Sequence, residues 1–194
     1  MNKRHLLPWP ILLVFAALLA ACTSKPVNHY LMSPLTGVPA ETAHHDDSLG
    51  VGPVQLPGYL NRPNLVTRTS PTRIEVPGDH KWGAPLDTHL TATLAENLRQ
   101  RLGLGSVLVY PWQPGTRLDY QLSADVTRFI YADGAVRLDA GWSLRNRLNG
   151  KTIEGSSRIE EDSSDDYDDI VDAMSRALAR MADDITLRLQ QAAE

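Results

Sequence analysis

Cys22 is the residue whose chemistry is easiest to read. It is the single cysteine of the chain and follows directly on Leu19-Ala20-Ala21. An aliphatic residue, two small residues and a cysteine form a lipobox. The small side chains let an extended chain enter a signal peptidase, and the thiol is the atom that takes a diacylglycerol. Upstream, Lys3 and Arg4 provide a positive start, and Leu6 to Ala21 carries no charge. That stretch falls short of the roughly 20 apolar residues of a membrane-spanning helix, and Pro8 and Pro10 would disturb its first turns. Residues 1–21 therefore read as a secretion signal removed from the mature chain. With no second cysteine, no intramolecular disulfide can form even in an oxidising compartment, so the thiol is free to serve as an anchor. One acyl chain gives marginal binding and several give stable anchoring. A diacylglycerol and an N-acyl chain such as palmitate on Cys22 would hold the domain on a bilayer without crossing it.

Other candidate chemistry is sparse. His44-His45-Asp46-Asp47 offers metal-ligating side chains, but adjacent residues seldom converge on one ion and a metal site draws ligands from separate supported elements. A solvated loop is the expected reading. Asp165, Asp166, Asp168 and Asp169 lack the spacing, the central glycine and the closing glutamate of a calcium loop, and a capped helix start accounts for them. His80, Asp87 and His89 lie near a helix start, where Asp87 and His89 are two apart and do not face each other. No Gly-x-Ser-x-Gly elbow, phosphate-cradling glycine loop or second thiol is present. The expectation is a protein that is not an enzyme and holds no metal or cofactor beyond the lipid on Cys22.

Two segments suggest contact surfaces instead. Pro53 to Pro63 sets three prolines around Tyr59, Leu60 and Arg62. Proline lowers the entropy lost on ordering a loop, and Tyr and Arg are favoured interface anchors. The array therefore reads either as a partner-binding loop or as a rigid turn whose Tyr59 and Leu60 cover the core. Trp82, in His80-Lys81-Trp82-Gly83-Ala84-Pro85-Leu86, reads as a staple over the following helix, with a contact surface as the second reading.

These residues need a scaffold, and the periodicity supplies one. Leu86, Leu90, Leu94, Leu98 and Leu102 recur every fourth residue, with Ala95 beside them, so Pro85 to Leu102 is expected to be a helix. Pro85, Asp87, the Arg99 and Arg101 pair and Gly103 fit its first turn, its positive end, its negative end and its C-terminal stop. Leu118 to Thr127 and Val136 to Leu144 alternate apolar with polar residues around Asp133-Gly134, a hairpin pair. Asn149-Gly150 leads into a third strand, Thr152 to Ile159, completing a meander with one wet face. Shorter strands are expected at Asn28 to Met32, Gly50 to Leu56, Leu65 to Arg68, Arg73 to Val76 and Ser106 to Tyr110, with Pro53 marking an edge or bulge. Ser33 to Ser48 reads as a loop. A last helix presents Ile170, Met174, Ala177, Leu178, Met181, Ile185 and Leu189 on one face. The expected fold is α+β: a single domain with a mostly antiparallel sheet and two helices packed on one face. The chain divides into the signal at 1–21, a lipidated tether at 22–27 and a periplasmic domain at 28–194.

The full chain carries a formal net charge of −4, and loss of Lys3 and Arg4 with the signal takes it to about −6. Nucleic acid and anionic headgroups are thus not the partners that net charge suggests.

The same segments resemble a known family. Val51 to Pro57, Tyr59 to Pro63 and Val66-Thr67-Arg68 are similar to the first block of the PqiC/YmbA family of ABC-type, MCE-associated transport auxiliary lipoproteins. Trp82 to Leu86 with Leu94 to Leu98 resembles its second block, and Phe129, Val136-Arg137-Leu138 and Trp142 its third. Asn61 and Ala84 stand where that pattern has Asp and Glu, so ion pairs made by those acids are missing here. The resemblance implies a non-catalytic subunit of an intermembrane lipid transport system that supports envelope integrity. It would sit on the periplasmic face of the outer membrane, where Thr23 rather than Asp after Cys22 is similar to the outer-membrane sorting pattern of enterobacterial lipoproteins. Its partners would be an MCE-domain, tube-forming transport protein and further copies of itself in a homo-oligomeric ring, with docking residues among Tyr59, Leu60, Arg62 and Trp82. The alternative is a lipid- or ligand-binding lipoprotein acting on its own, with an apolar cavity lined by Leu122, Leu138 and Trp142.

Overall fold

A computed structural model describes residues 26–36 and 47–193. The signal, the lipobox at Leu19, Ala20 and Ala21, the lipidation residue Cys22 and the histidines of the His44–Asp47 run lie outside the described residues.

The elements in chain order are β1 (Asn28–Tyr30), β2 (Ser48–Gln55), β3 (Thr67–Ser70), β4 (Arg73–Glu75), β5 (His80–Trp82), α1 (Leu86–Leu102), β6 (Ser106–Val109), β7 (Tyr120–Ala132), β8 (Ala135–Asn146), β9 (Thr152–Asp162) and α2 (Tyr167–Ala193). The fold is α+β, with a seven-stranded sheet and a separate two-stranded ribbon formed by β1 and β5. The longest ladders are antiparallel: β7 pairs with β8, and β8 with β9, along nearly their whole lengths. The Asp133-Gly134 turn between β7 and β8 has φ of 52° and 79°, as a type I′ hairpin requires.

The sheet is more mixed than a meander. The other edge of β7 is shared: β2 lies parallel along its first half and β3 meets it at Tyr131. β6 is parallel to β2 on the far side. The cause is the α1 crossover, which carries the chain back before β6 begins and so gives β2 and β6 the same direction. Pro53 sits where expected, at the register shift in β2 between Val51 and Val54. β7 runs to Ala132, beyond the expected end at Thr127. A second shift between Val126 and Arg128 breaks the alternation, so the adjacent Phe129 and Ile130 are both buried. β5 was not expected at all, because its three residues carry no internal period and depend on the distant β1.

Both helices cover the same sheet face. The leucine stripe of α1 is buried throughout, as are Ile170, Met174, Ala177, Leu178, Met181 and Ile185 of α2, while Leu189 is partly buried. They close over Leu122, Ala124 and Val126 of β7 and Val136, Leu138, Ala140, Trp142 and Leu144 of β8, giving one continuous core. Gly103 ends α1 in the left-handed region at φ 60°. Of the acids expected in the first turn of α2, Asp168 and Asp169 stand there. Asp166 precedes it as the cap, its carboxylate accepting the Asp168 amide at 2.8 Å.

Candidate functional site

Within Pro53 to Pro63, the Pro57–Pro63 loop is a tight turn held by its own backbone. The amides of Leu60 and Asn61 donate to the Pro57 carbonyl at 2.9 and 3.3 Å, and the Arg62 amide donates to the Leu60 carbonyl at 2.8 Å. Leu60 is 2% exposed, and Tyr59 packs half-buried against the core. Trp82 is 5% exposed; its amide donates to the Pro63 carbonyl at 2.7 Å and so joins the loop to β5. Of the four residues expected to meet a partner, only Arg62 is exposed, beside Asn61 and Pro63. Leu60 and Trp82 are spent on the core, as the second reading of the loop and the staple reading of Trp82 anticipated.

The segment that follows the tether is held in a way the sequence did not announce. Residues 31–36 leave β1 and cross the helices without strand partners, and three of their amides and one carbonyl are bonded by side chains. The Met32 amide donates to His89 Nε2 at 2.7 Å, the Ser33 amide to Ser175 Oγ at 3.1 Å, and the Leu35 amide to Asn97 Oδ1 at 2.8 Å. Arg101 Nη1 donates to the Leu35 carbonyl at 3.1 Å and to that of Asn97 at 3.2 Å. Asn97, Arg101 and Ser175 are all buried, and the Met32 side chain joins the core. Arg101 also reaches from α1 to α2, its Nε 2.5 Å from Asp183 Oδ1. It is thus a buried fastener rather than a charge placed only to complement the helix end. Burial pushes the His89 imidazole below its ordinary value, consistent with an Nε2 that accepts a backbone hydrogen. The only sequence signal for these residues is that Asn97 and Arg101 are four apart beside the leucine stripe.

β1 is also fixed through an aromatic stack. The His80 ring lies 3.7 Å from the Tyr167 ring and 5.6 Å from Tyr30, both nearly parallel, and His80 Nδ1 is 2.7 Å from the Tyr30 hydroxyl. Burial, followed by Asp168 and Asp166, pushes the Tyr30 phenol up; burial, followed by Glu75, raises Tyr167. The Asp87 carboxylate instead accepts the Thr88 amide at 2.7 Å. His80 and Asp87 therefore have separate partners.

The wet face and the edges are polar. Arg128 pairs with Asp139 at 2.8 Å and Arg137 with Glu160 at 2.9 Å. Glu161 of β9 receives Arg176 and Arg180 of α2 at 3.2 and 2.9 Å. At the start of β7, Asp119 accepts the Ser48 hydroxyl at 2.7 Å and amide at 2.8 Å, which hold its carboxyl below the usual range. A groove of about 640 Å³ opens between β9 and α2, lined by Trp142, Glu154, Gly155, Ser156, Asp184, Leu187 and Arg188. Gly155 leaves the room that Trp142 occupies, since a Cβ there would lie 2.3 Å from the indole. Leu122 and Leu138, named for an apolar cavity, are fully buried in the continuous core. Among the described residues no group of three or more His, Cys, Asp or Glu side chains is arranged to hold a metal. No described helix is long and apolar enough to cross a membrane.

Comparison with known proteins places this arrangement. Residues 30–186 match the family described as the ABC-type transport auxiliary lipoprotein component. The chain is 29% identical over 186 residues to the intermembrane transport lipoprotein PqiC of Escherichia coli, covering 93% of this chain and 97% of that protein, and equally similar to PqiC of Shigella flexneri. Among solved structures, an uncharacterized protein superposes with a TM-score of 0.68 at 24% identity, covering 85% of this chain and 99% of the other. A protein of Xanthomonas campestris does so at 0.60 and 18% identity, covering 84% and 99%. These two likenesses establish the fold.

Proposed function

We infer the role of this chain from one premise: it belongs to the family of ABC-type transport auxiliary lipoprotein components. We propose that it is a non-catalytic lipoprotein subunit of an MCE-type intermembrane lipid transport system. In this reading Cys22 carries the acyl chains, the domain stands on the periplasmic face of the outer membrane, and copies of it assemble into a ring that docks the far end of an MCE-domain tube. The observation that carries the proposal is the similarity to PqiC over nearly the full length of both chains, joined to a lipobox whose cysteine is the only one in the sequence. Among the described residues, His89 holds the Met32 amide, Asp166 caps α2 and His80 stacks on Tyr167. Arg62 is the candidate contact residue that remains exposed.

Two experiments test this reading. A photo-crosslinking residue at Arg62 in cells should yield an adduct with an MCE-domain protein, and recovery of no such adduct from Arg62, Asn61 or Pro63 would remove the docking role from this loop. Cys22→Ser should release the domain from the membrane fraction and eliminate the acyl mass. Unchanged fractionation and mass would refute the anchor.

A further inference from the structure

The lipid-anchor reading has a geometric consequence for the way the domain meets the membrane. Four Cα–Cα steps separate Cys22 from Pro26, and at 3.8 Å each they reach at most about 15 Å. From Asn28 onward the chain is fixed: the Asn28 amide donates to the Asp79 carbonyl at 2.8 Å, and the Gly83 amide to the Tyr30 carbonyl at 2.8 Å. Asn28, the first residue of the β1–β5 ribbon, stands two steps further on and so lies within about 23 Å of Cys22.

The ribbon has two unlike faces. Asn28 and Tyr30 pair in register with His80 and Trp82; on this face His80 stacks on Tyr167, Tyr30 lies tilted against the same ring and Trp82 is buried, while Asn28 at the ribbon's start is exposed. By the two-residue period of an extended chain, Val27, His29 and Leu31 share the opposite face. His29 pairs in register with Lys81, which puts that cation among them. Val27 is 43% exposed and Leu31 56%, which is unusual for two apolar side chains on so short a ribbon. Leu31 lies over Gly83, where a Cβ would come within 3.1 Å of it. The carboxylates near this end, Asp79, Asp166 and Asp168, raise the Tyr30 phenol; Asp166 and Asp168 are exposed at the start of α2.

We propose that this outer face of the β1–β5 ribbon, with Val27 and Leu31 as apolar contacts and Lys81 beside His29 as phosphate-facing groups, rests on the phospholipid headgroup layer that holds the Cys22 anchor. Apolar side chains with flanking cations are the composition that lies in a bilayer interface. The tether length makes a bilayer the occupant. The same contact sets the domain's orientation. The start of α2 lies beside the β7–β8 turn, where the Ser163 amide donates to the Gly134 carbonyl, and the ribbon packs on Tyr167 at that end. The opposite end of the hairpin, capped by Leu148 at 80% exposure, then projects about 40 Å along the strands into the periplasm.

The proposal rests on the lipid-anchor reading, and its test separates the two. In the native lipidated protein a thioether-bonded Cys22 takes no maleimide, so Val27→Cys, Leu31→Cys or Leu148→Cys each adds the one reactive thiol. Each variant, labelled with an environment-sensitive fluorophore, is reconstituted into phosphatidylethanolamine–phosphatidylglycerol vesicles containing brominated phosphatidylethanolamine. Labels at 27 and 31 should be quenched at least about threefold more than the label at 148, as expected for groups in the interface against one far outside it. Equal quenching at all three positions, with the parent protein unlabelled, overturns the membrane face while leaving the anchor intact. Maleimide labelling of the parent at Cys22 overturns the anchor and the membrane face together.

Discussion

Arg101 and Asp183 form a pair whose two deletions should cost unequal amounts, with the larger loss arising from the more exposed partner. The Arg101 side chain is 3% exposed and the Asp183 side chain 55%. Asp183→Ala leaves a guanidinium buried without its carboxylate, still bound to the carbonyls of Leu35 and Asn97. Stranding one member of a buried pair costs about 3–5 kcal/mol. Because the lost carboxylate is half in water, the figure here is nearer about 2–4 kcal/mol. Arg101→Met removes the buried charge and fills most of its volume, leaving Asp183 to be solvated. What it loses is the bond to the Leu35 carbonyl and a second bond to a helix carbonyl, a net cost of about 1 kcal/mol. For a domain of this size each kcal/mol is worth roughly 2–4 °C in Tm, so Asp183→Ala should melt roughly 5–15 °C lower and Arg101→Met only a few degrees lower. Urea unfolding of the secreted Cys22→Ser protein, followed by circular dichroism, measures both with the slope m as a check on two-state behaviour. The double variant should resemble Arg101→Met, because no charge is left to strand. If Arg101→Met costs as much as Asp183→Ala or more, the guanidinium is held by its carbonyl contacts and the ion-pair argument is wrong.

Further consequences follow from the same contacts. Gly155→Ala places a Cβ 2.3 Å from the Trp142 ring, so it should destabilise by about 1–3 kcal/mol of overpacking and change the near-ultraviolet signal of the indole; an unaltered signal and midpoint would show that the ring moves freely. His89 is held neutral in the fold, its value depressed by burial, so the unfolded chain binds the extra proton and stability should fall as pH drops below the ordinary imidazole value of 6.5. His89→Gln keeps an acceptor for the Met32 amide and should flatten that slope between pH 7.5 and 5; an unchanged slope would assign it to another group. Glu96 is held at about 2 by hydrogen bonds from Arg99 and Gln100, so its contribution is complete above the ordinary value of 4.5 and is lost as pH falls toward 2. Arg99→Ala should reduce the acid-limb loss, as read from denaturation midpoints at pH 5 and pH 3.

The parts of the fold that were legible in the sequence are those whose information is local. The leucine stripe of α1 and the β7–β8 alternation across Asp133-Gly134 each bury a continuous row, so their periods survive in the sequence. β5 was invisible because its three residues are ordered by β1, far away in sequence, and by Tyr167 beneath them. The parallel placement of β2 was hidden for a related reason: alternation fixes which face a residue takes but not the direction of the neighbouring strand. In β7 the bulge after Val126 inserts a residue and resets the period, which ended the expected strand too early. At the candidate site, Tyr and Trp next to proline looked like contact residues because interfaces and cores favour the same large amphipathic side chains. Burial separates the two uses, and sequence alone does not report it. Asn97 and Arg101 were missed in the opposite sense. A buried arginine and a buried asparagine are exceptions to what polar residues do on a helix, and the backbone groups they serve belong to a segment with no pattern.

Those exceptions have a common physical origin. A chain that emerges from a membrane anchor and enters a domain must at some point run across its surface as single, unpaired backbone, and each buried amide or carbonyl there needs a partner. A sheet edge would satisfy such a segment cheaply, but β1 ends at Tyr30 and the chain must next cross two helices, whose own amides and carbonyls are already paired. Only side chains can supply the bonds. His89, Asn97 and Arg101 from α1 and Ser175 from α2 do so, and the Met32 side chain is buried in the core. Load applied at the amino-terminal end of the domain is therefore shared between both helices and the core beneath them, through bonds from four side chains, rather than borne by the three-residue ribbon alone. Apolar residues of similar size at 97 and 101 would fill the same volume but leave the Leu35 amide and carbonyl without their bonds. The polar ones serve the strap that passes over them, and Arg101 in addition joins the two helices through Asp183.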